Sequence, residues 1–173
     1  MSPPLPDRID PWRFIEGGKV LEGVVALAEL PRLAPLLVEG GEAAYRLAFG
    51  RKDGRAVVSG EVRSRLVLRC QRCLGPLAID VDAAFALAFV TGLEEAGALP
   101  EPYEPAVVED GRVRPLELVE DELLLAVPGI PLHEEGACRA PAADVAATEG
   151  ASQDESPFAV LASLRKDGGT PEH

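Results

Sequence analysis

From Val58 to Cys70 the chain alternates between apolar and charged positions. Val58, Val62, Leu66, Leu68 and Cys70 share one parity, and Glu61, Arg63, Arg65 and Arg69 share the other. A period of two sends the two sets to opposite sides of an extended chain, so the segment predicts a strand with one buried face and one wet face. After Cys73 the alternation resumes, with Leu77, Ile79, Val81, Phe85, Leu87 and Phe89 set against Asp80 and Asp82. This predicts a second half-buried strand, antiparallel to the first, with CQRC as the bend between them. Upstream, EAAYRLAFGRKDGRAVVSGEV predicts a hairpin around Lys52-Asp53-Gly54, because Asp-Gly supplies the positive φ that tight hairpin turns require. The run KVLEGVVALAEL predicts a strand that passes into a short helical turn, punctuated by Pro31, Pro35 and the Gly40-Gly41 stop.

The period changes in PLELVEDELLLAVPGIP. Leu116, Val119, Leu123 and Ala126 fall at helical spacing, Pro115 suits the first turn and Pro128 lies past the end, so a helix over 115–127 is expected. Glu117, Glu120, Asp121 and Glu122 are read as its solvated side. Residues 92–114 read as loop, with at most one short strand before Asp110-Gly111. Four prolines in residues 1–11 suggest an extended arm, followed by a single domain over 12–138. Residues 139–155 have the composition of a flexible acidic, Ala-rich linker. It leads to a short amphipathic helix over 156–167, whose stripe of Phe158, Leu161 and Leu164 either docks back on the domain or binds a partner. The expected fold class is therefore α+β: an antiparallel sheet, with curling into a partial β-barrel as a variant, one helix packed on it and a short helix at about 157–165.

Composition narrows the function. The chain is 47% hydrophobic but only 5% aromatic, so the core must be built from Val, Leu and Ala. A formal charge of −12 argues against a protein that coats DNA. That charge is unevenly spread: residues 55–73 carry five arginines against one acid, and residues 94–173 carry 18 acids against 5 bases. Arg63, Arg65 and Arg69 on the wet face of the ribbon, with Arg72 at its tip, are candidates for contact with RNA or a partner. The competing reading pairs them with Asp80 and Asp82, or with the acidic helix, in surface bridges of little energetic value. No run of 18 apolar residues occurs, and MSPPLPDRID has neither the basic nor the apolar region of a signal peptide, so a soluble, non-secreted protein without membrane contact is expected. A Gly-rich phosphate loop, a GxSxG elbow and HExxH are all absent, so neither an enzyme nor a small-molecule substrate is expected.

Three cysteines in such a chain are free, catalytic or metal-bound thiols rather than a disulfide framework. Cys70 and Cys73 flank a two-residue loop and should project to one side. Gln71 and Arg72 are poor residues for a primed turn, so the bend needs other support. A structural zinc takes four ligands, and the remaining candidates are His133 and Cys138, spaced His-x4-Cys. Together the four would form a Cys3His site. Two alternatives stand beside it: the cysteines are small buried hydrophobes, with Cys138 an exposed thiol, or they form a redox pair. The redox reading is weakened because CQRC joins strand to strand instead of opening a helix.

Four blocks carry a resemblance: LRCQRCLGPL at 68–77, LPEPYEP at 99–105, LVEDELLLAVPGIPLHEEGAC at 118–138 and PFAVLASLRK at 157–166. Together, and in this order, they resemble the YceD family of bacterial large ribosomal RNA subunit accumulation proteins, from about Pro11 to Lys166. The resemblance implies a cytoplasmic factor for the synthesis, processing or stability of 23S ribosomal RNA, with no enzymatic activity to carry over. Its partners would be 23S rRNA or its precursor, contacted directly or within a ribonucleoprotein. The alternative is an adaptor that binds a ribosomal or RNA-processing protein without touching RNA. The matching motif positions are Cys70, Arg72, Cys73, Glu120, Asp121, Glu122, Pro131, His133 and Cys138.

Overall fold

In a computed structural model, residues 5–138 are described, and the predicted linker and amphipathic helix, with Phe158, Leu161 and Leu164, lie outside them. The chain divides into two units, Met1–Cys138 and Arg139–His173. The first is an α+β fold on one open five-stranded sheet, β1 (Val20–Ala26), β2 (Glu42–Lys52), β3 (Arg55–Arg69), β4 (Pro76–Val90) and β5 (Glu104–Val107), in that order across the sheet. The sheet does not close into a barrel. β1 to β4 form an antiparallel meander, and β5 adds to β4 in parallel.

The first long hairpin closes as its sequence requires. Lys52 faces Arg55, and between them Asp53 at φ 51° and Gly54 at φ 76° both lie in the left-handed region of a type I′ turn. Alternation then sets the faces, with Leu47, Val58, Val62 and Leu66 fully buried while Glu61, Arg63 and Arg65 are exposed. Gly60 breaks the run of apolar side chains for a steric reason. Phe85 stands directly opposite and its ring lies over the glycine, where a Cβ would collide with it.

Helix α1 (Pro11–Glu16) begins where the proline-rich arm was expected to end. Asp10 accepts hydrogen bonds from the Trp12 and Arg13 amides at 3.0 and 3.3 Å, and Pro11 takes the first helical position, where no donor is lost. Ile9 before it is buried and pairs with Val113, so this stretch belongs to the core. Phe14 of α1 meets Phe49 edge-on with ring centroids 5.3 Å apart, and Phe49 stacks on Phe89 at 6.1 Å. A short helix α2 (Leu93–Gly97) occupies part of the predicted loop, and β5 is the single short strand expected there. Helix α3 (Pro115–Ala126) matches its predicted span and presses Val119 and Leu123, both fully buried, onto the sheet.

Candidate metal centre

β3 delivers Cys70 to a fully buried position just past its last residue. The bend is wider than the sequence suggests: Arg69 pairs with Pro76, leaving residues 70–75 as the loop instead of two residues. Two hydrogen bonds fold it into a knuckle, from the Cys70 amide to the Gly75 carbonyl and from the Leu74 amide to the Cys70 carbonyl, both 2.9 Å. Leu74 closes it at φ 60°. The second half of the site is residues 131–138, an irregular segment in which Gly136 at φ 81° and an Ala137 to Glu134 hydrogen bond of 3.1 Å turn the chain back on itself. The Gln71 amide donates to the Pro131 carbonyl at 2.9 Å and joins the two halves.

These two turns bring all four predicted ligands together. Their donor atoms lie within 4.8 Å of one another, with Cys70 Sγ 3.6 Å from Cys138 Sγ, and His133 Nδ1 3.4 Å from Cys73 Sγ and 3.6 Å from Cys138 Sγ. A tetrahedral zinc with bonds of about 2.3 Å to sulfur and ~2.0 Å to nitrogen has S–S edges of about 3.8 Å and S–N edges of about 3.5 Å. The three contacts lie within about 0.2 Å of those lengths. His133 is also set in the right tautomer: Nε2 lies 3.0 Å from the Pro76 carbonyl, which can only accept, so Nε2 carries the proton and Nδ1 presents a lone pair to the sulfurs.

Burial pushes the Cys70 thiol up, but the backbone amides of Cys73, His133 and Arg72 and the Cys138 thiol outweigh it and bring Cys70 down to about 5. The downward shift favours the thiolate of Cys70, the form that binds metal. Cys138 moves the other way, raised by burial and by its place beside the Cys70 and Cys73 sulfurs. A bound cation would remove that mutual repulsion. Four protein ligands on one zinc would leave no open coordination position, the arrangement of a structural site rather than a catalytic one.

The arginines divide into two groups. Arg63 faces Asp82 and Arg65 faces Asp80 across β3 and β4, in exposed ion pairs of 3.0 and 3.4 Å. Arg69 and Arg72, nearer the knuckle, are exposed and make no ion pair among the described residues.

The acidic helix holds a residue that sequence reasoning misplaced. Glu120 was expected among the solvated carboxylates, yet it is 1% exposed. It accepts from the Arg32 amide at 2.6 Å, the Leu33 amide at 3.1 Å and Arg32 Nε at 2.9 Å, while Asp121 takes Arg32 Nη1 at 2.6 Å. The pair thereby ties the turn after β1 to α3. A signal was present, since Glu120 stands four residues after Leu116 and three before Leu123, inside the apolar stripe. Glu122 has no such partner among the described residues, and its carboxyl is pushed up by burial and by the nearby Glu104 and Asp121.

The family profile described as "Large ribosomal RNA subunit accumulation protein YceD" matches residues 58–165. The chain is also 32% identical over 168 residues, 94% of its length and 97% of the relative's, to the large ribosomal RNA subunit accumulation protein YceD of Haemophilus influenzae. It belongs to the YceD family. The matched YceD region begins at Val58 in β3 and takes in the knuckle, α3 and all four clustered ligands. No solved structure matches the chain.

Proposed function

We propose that this YceD-family chain is a non-enzymatic, cytoplasmic ribosome biogenesis factor needed for the accumulation of 23S ribosomal RNA. The observation that carries this reading is the similarity of nearly the whole chain to a protein whose name states that role. In this reading Cys70, Cys73, His133 and Cys138 hold a zinc ion. The ion supplies cross-linking, joining the tip of the β3–β4 hairpin to residues 131–138, and takes no part in a reaction. The rigid tip then presents Arg69 and Arg72, with Arg63 and Arg65 along the ribbon, to RNA or to a ribonucleoprotein.

The test replaces the host's own copy of the gene and measures 23S against 16S rRNA. Loss of the gene should lower 23S rRNA, and the wild-type chain should restore it. A variant with Arg63, Arg65, Arg69 and Arg72 all changed to Gln should fold but fail to restore it. Gln is preferable to Glu here, because a carboxylate at 63 or 65 would stand opposite Asp82 or Asp80 and weaken the hairpin itself. Unchanged 23S rRNA after gene loss would overturn the role. Full rescue by the Gln variant would overturn only the arginine contact.

A further inference from the structure

Beside the knuckle the surface opens into an apolar groove of about 470 Å³, between residues 34–38, the hairpin tip and the chain that leaves α3. Leu36, Leu68, Leu74, Leu124, Val127 and Pro131 line it. Large apolar side chains usually withdraw from such a surface, but Leu74 is 61% exposed and Leu36 47% exposed, with Ile130 and Leu132 also exposed on either side of Pro131. Leu74 carries a second cost. Its φ of 60° is one that glycine adopts freely and a branched side chain does not, so this position spends both solvation and backbone energy to hold a leucine at the rim.

We propose that this groove docks a partner protein through an acidic amphipathic segment, whose apolar side chains seat against Leu36, Leu74 and Val127. The choice of protein over RNA follows from the lining, which among the described residues contains aliphatic side chains and prolines but no aromatic ring on which a base could stack. The choice of an acidic segment follows from charge. In a chain of net charge −12, the one charged residue in the lining is Arg69, and the adjoining exposed Arg72 has no ion-pair partner among the described residues. The walls are also preformed: the Val38 amide bonds the Val67 carbonyl at 2.8 Å, and the Gln71 amide bonds Pro131 at 2.9 Å. The surface therefore need not be ordered on binding, which favours affinity.

This docking surface goes beyond the role in rRNA accumulation and requires neither bound metal nor RNA contact, so it can fail while that role stands. The test uses the full chain and fluorescein-labelled amphipathic helical peptides, read by anisotropy. All but one share a leucine stripe and differ in whether the remaining positions carry Glu, Gln or Lys; the last keeps Glu and replaces the stripe with Ala. The Glu peptide should bind tightest, and loss of the stripe should abolish binding. Leu74→Gly should weaken it by at least about tenfold, as loss of an apolar anchor does, without lowering thermal stability, since glycine relieves the backbone at that position. Arg69→Glu should shift the preference to the Lys peptide. No binding by any peptide, or equal binding to wild type and Leu74→Gly, overturns the proposal. Binding of oligouridine that is lost in Leu74→Gly, with no peptide bound, would overturn it in favour of a nucleic-acid surface.

Discussion

Glu120 shows how much one buried carboxylate can organise. Its two oxygens satisfy two backbone amides and a guanidinium from a segment 87 to 88 residues away in sequence. Glu120→Ala would leave the fully buried Leu33 amide without an acceptor and remove the partner of Arg32, at a cost of about 3 kcal/mol. Urea denaturation should show this as a lower midpoint. Glu120→Gln retains one acceptor and should lose less. A drop below ~0.5 kcal/mol for Glu120→Ala would place the residue among ordinary surface carboxylates. Gly60 makes the same point by absence. Gly60→Ala must displace the Phe85 ring, so it should destabilise the fold by about 1–3 kcal/mol as overpacking does, and Phe85→Leu in the same chain should recover part of that loss.

At the scale of elements, the β3–β4 hairpin links fold to site. Its alternation was legible from Val58 to Phe89, because each long strand has one face on a hydrophobic core and one in water. The true bend was not, because the knuckle is held by backbone hydrogen bonds and by contacts with residues 60 positions away in sequence, and neither leaves a period. Helix α3 was legible in extent, from Pro115 and its stripe, but not in which acid it buries. Helix α1 escaped notice because six residues do not complete two turns of a pattern, though Asp10-Pro11 was an available cap signal. The Arg63–Asp82 and Arg65–Asp80 pairs are exposed on both sides, so they contribute little to stability, and their arginines remain free to exchange partners.

For the whole molecule, the Cys3His cluster sets the hairpin tip beside the last described segment, and a metal bound there would cross-link the two. A metal that binds the folded chain and not the unfolded one adds directly to stability. Elemental mass spectrometry of the untagged protein should find one equivalent of zinc, lost in Cys73→Ser. Chelation should lower the melting temperature of the wild type and leave that of Cys73→Ser unchanged. Metal-free protein with the same melting temperature before and after chelation would remove the zinc clip and leave Cys70 as a core residue. No helix among the described residues is long and apolar enough to cross a membrane.

The sequence by itself determined the strand faces, the Asp53-Gly54 turn and the extent of α3, and it named the four side chains available as candidate ligands. Each rests on local rules: a period of two or 3.6, a positive φ, or the scarcity of sulfur and imidazole in the chain. Tertiary structure alone decided that the sheet stays open with a parallel fifth strand, that Glu120 turns inward to Arg32, and that the four ligands converge. Those outcomes depend on which segments meet across long stretches of chain. Burial and distance between remote residues set them, and no local pattern encodes either.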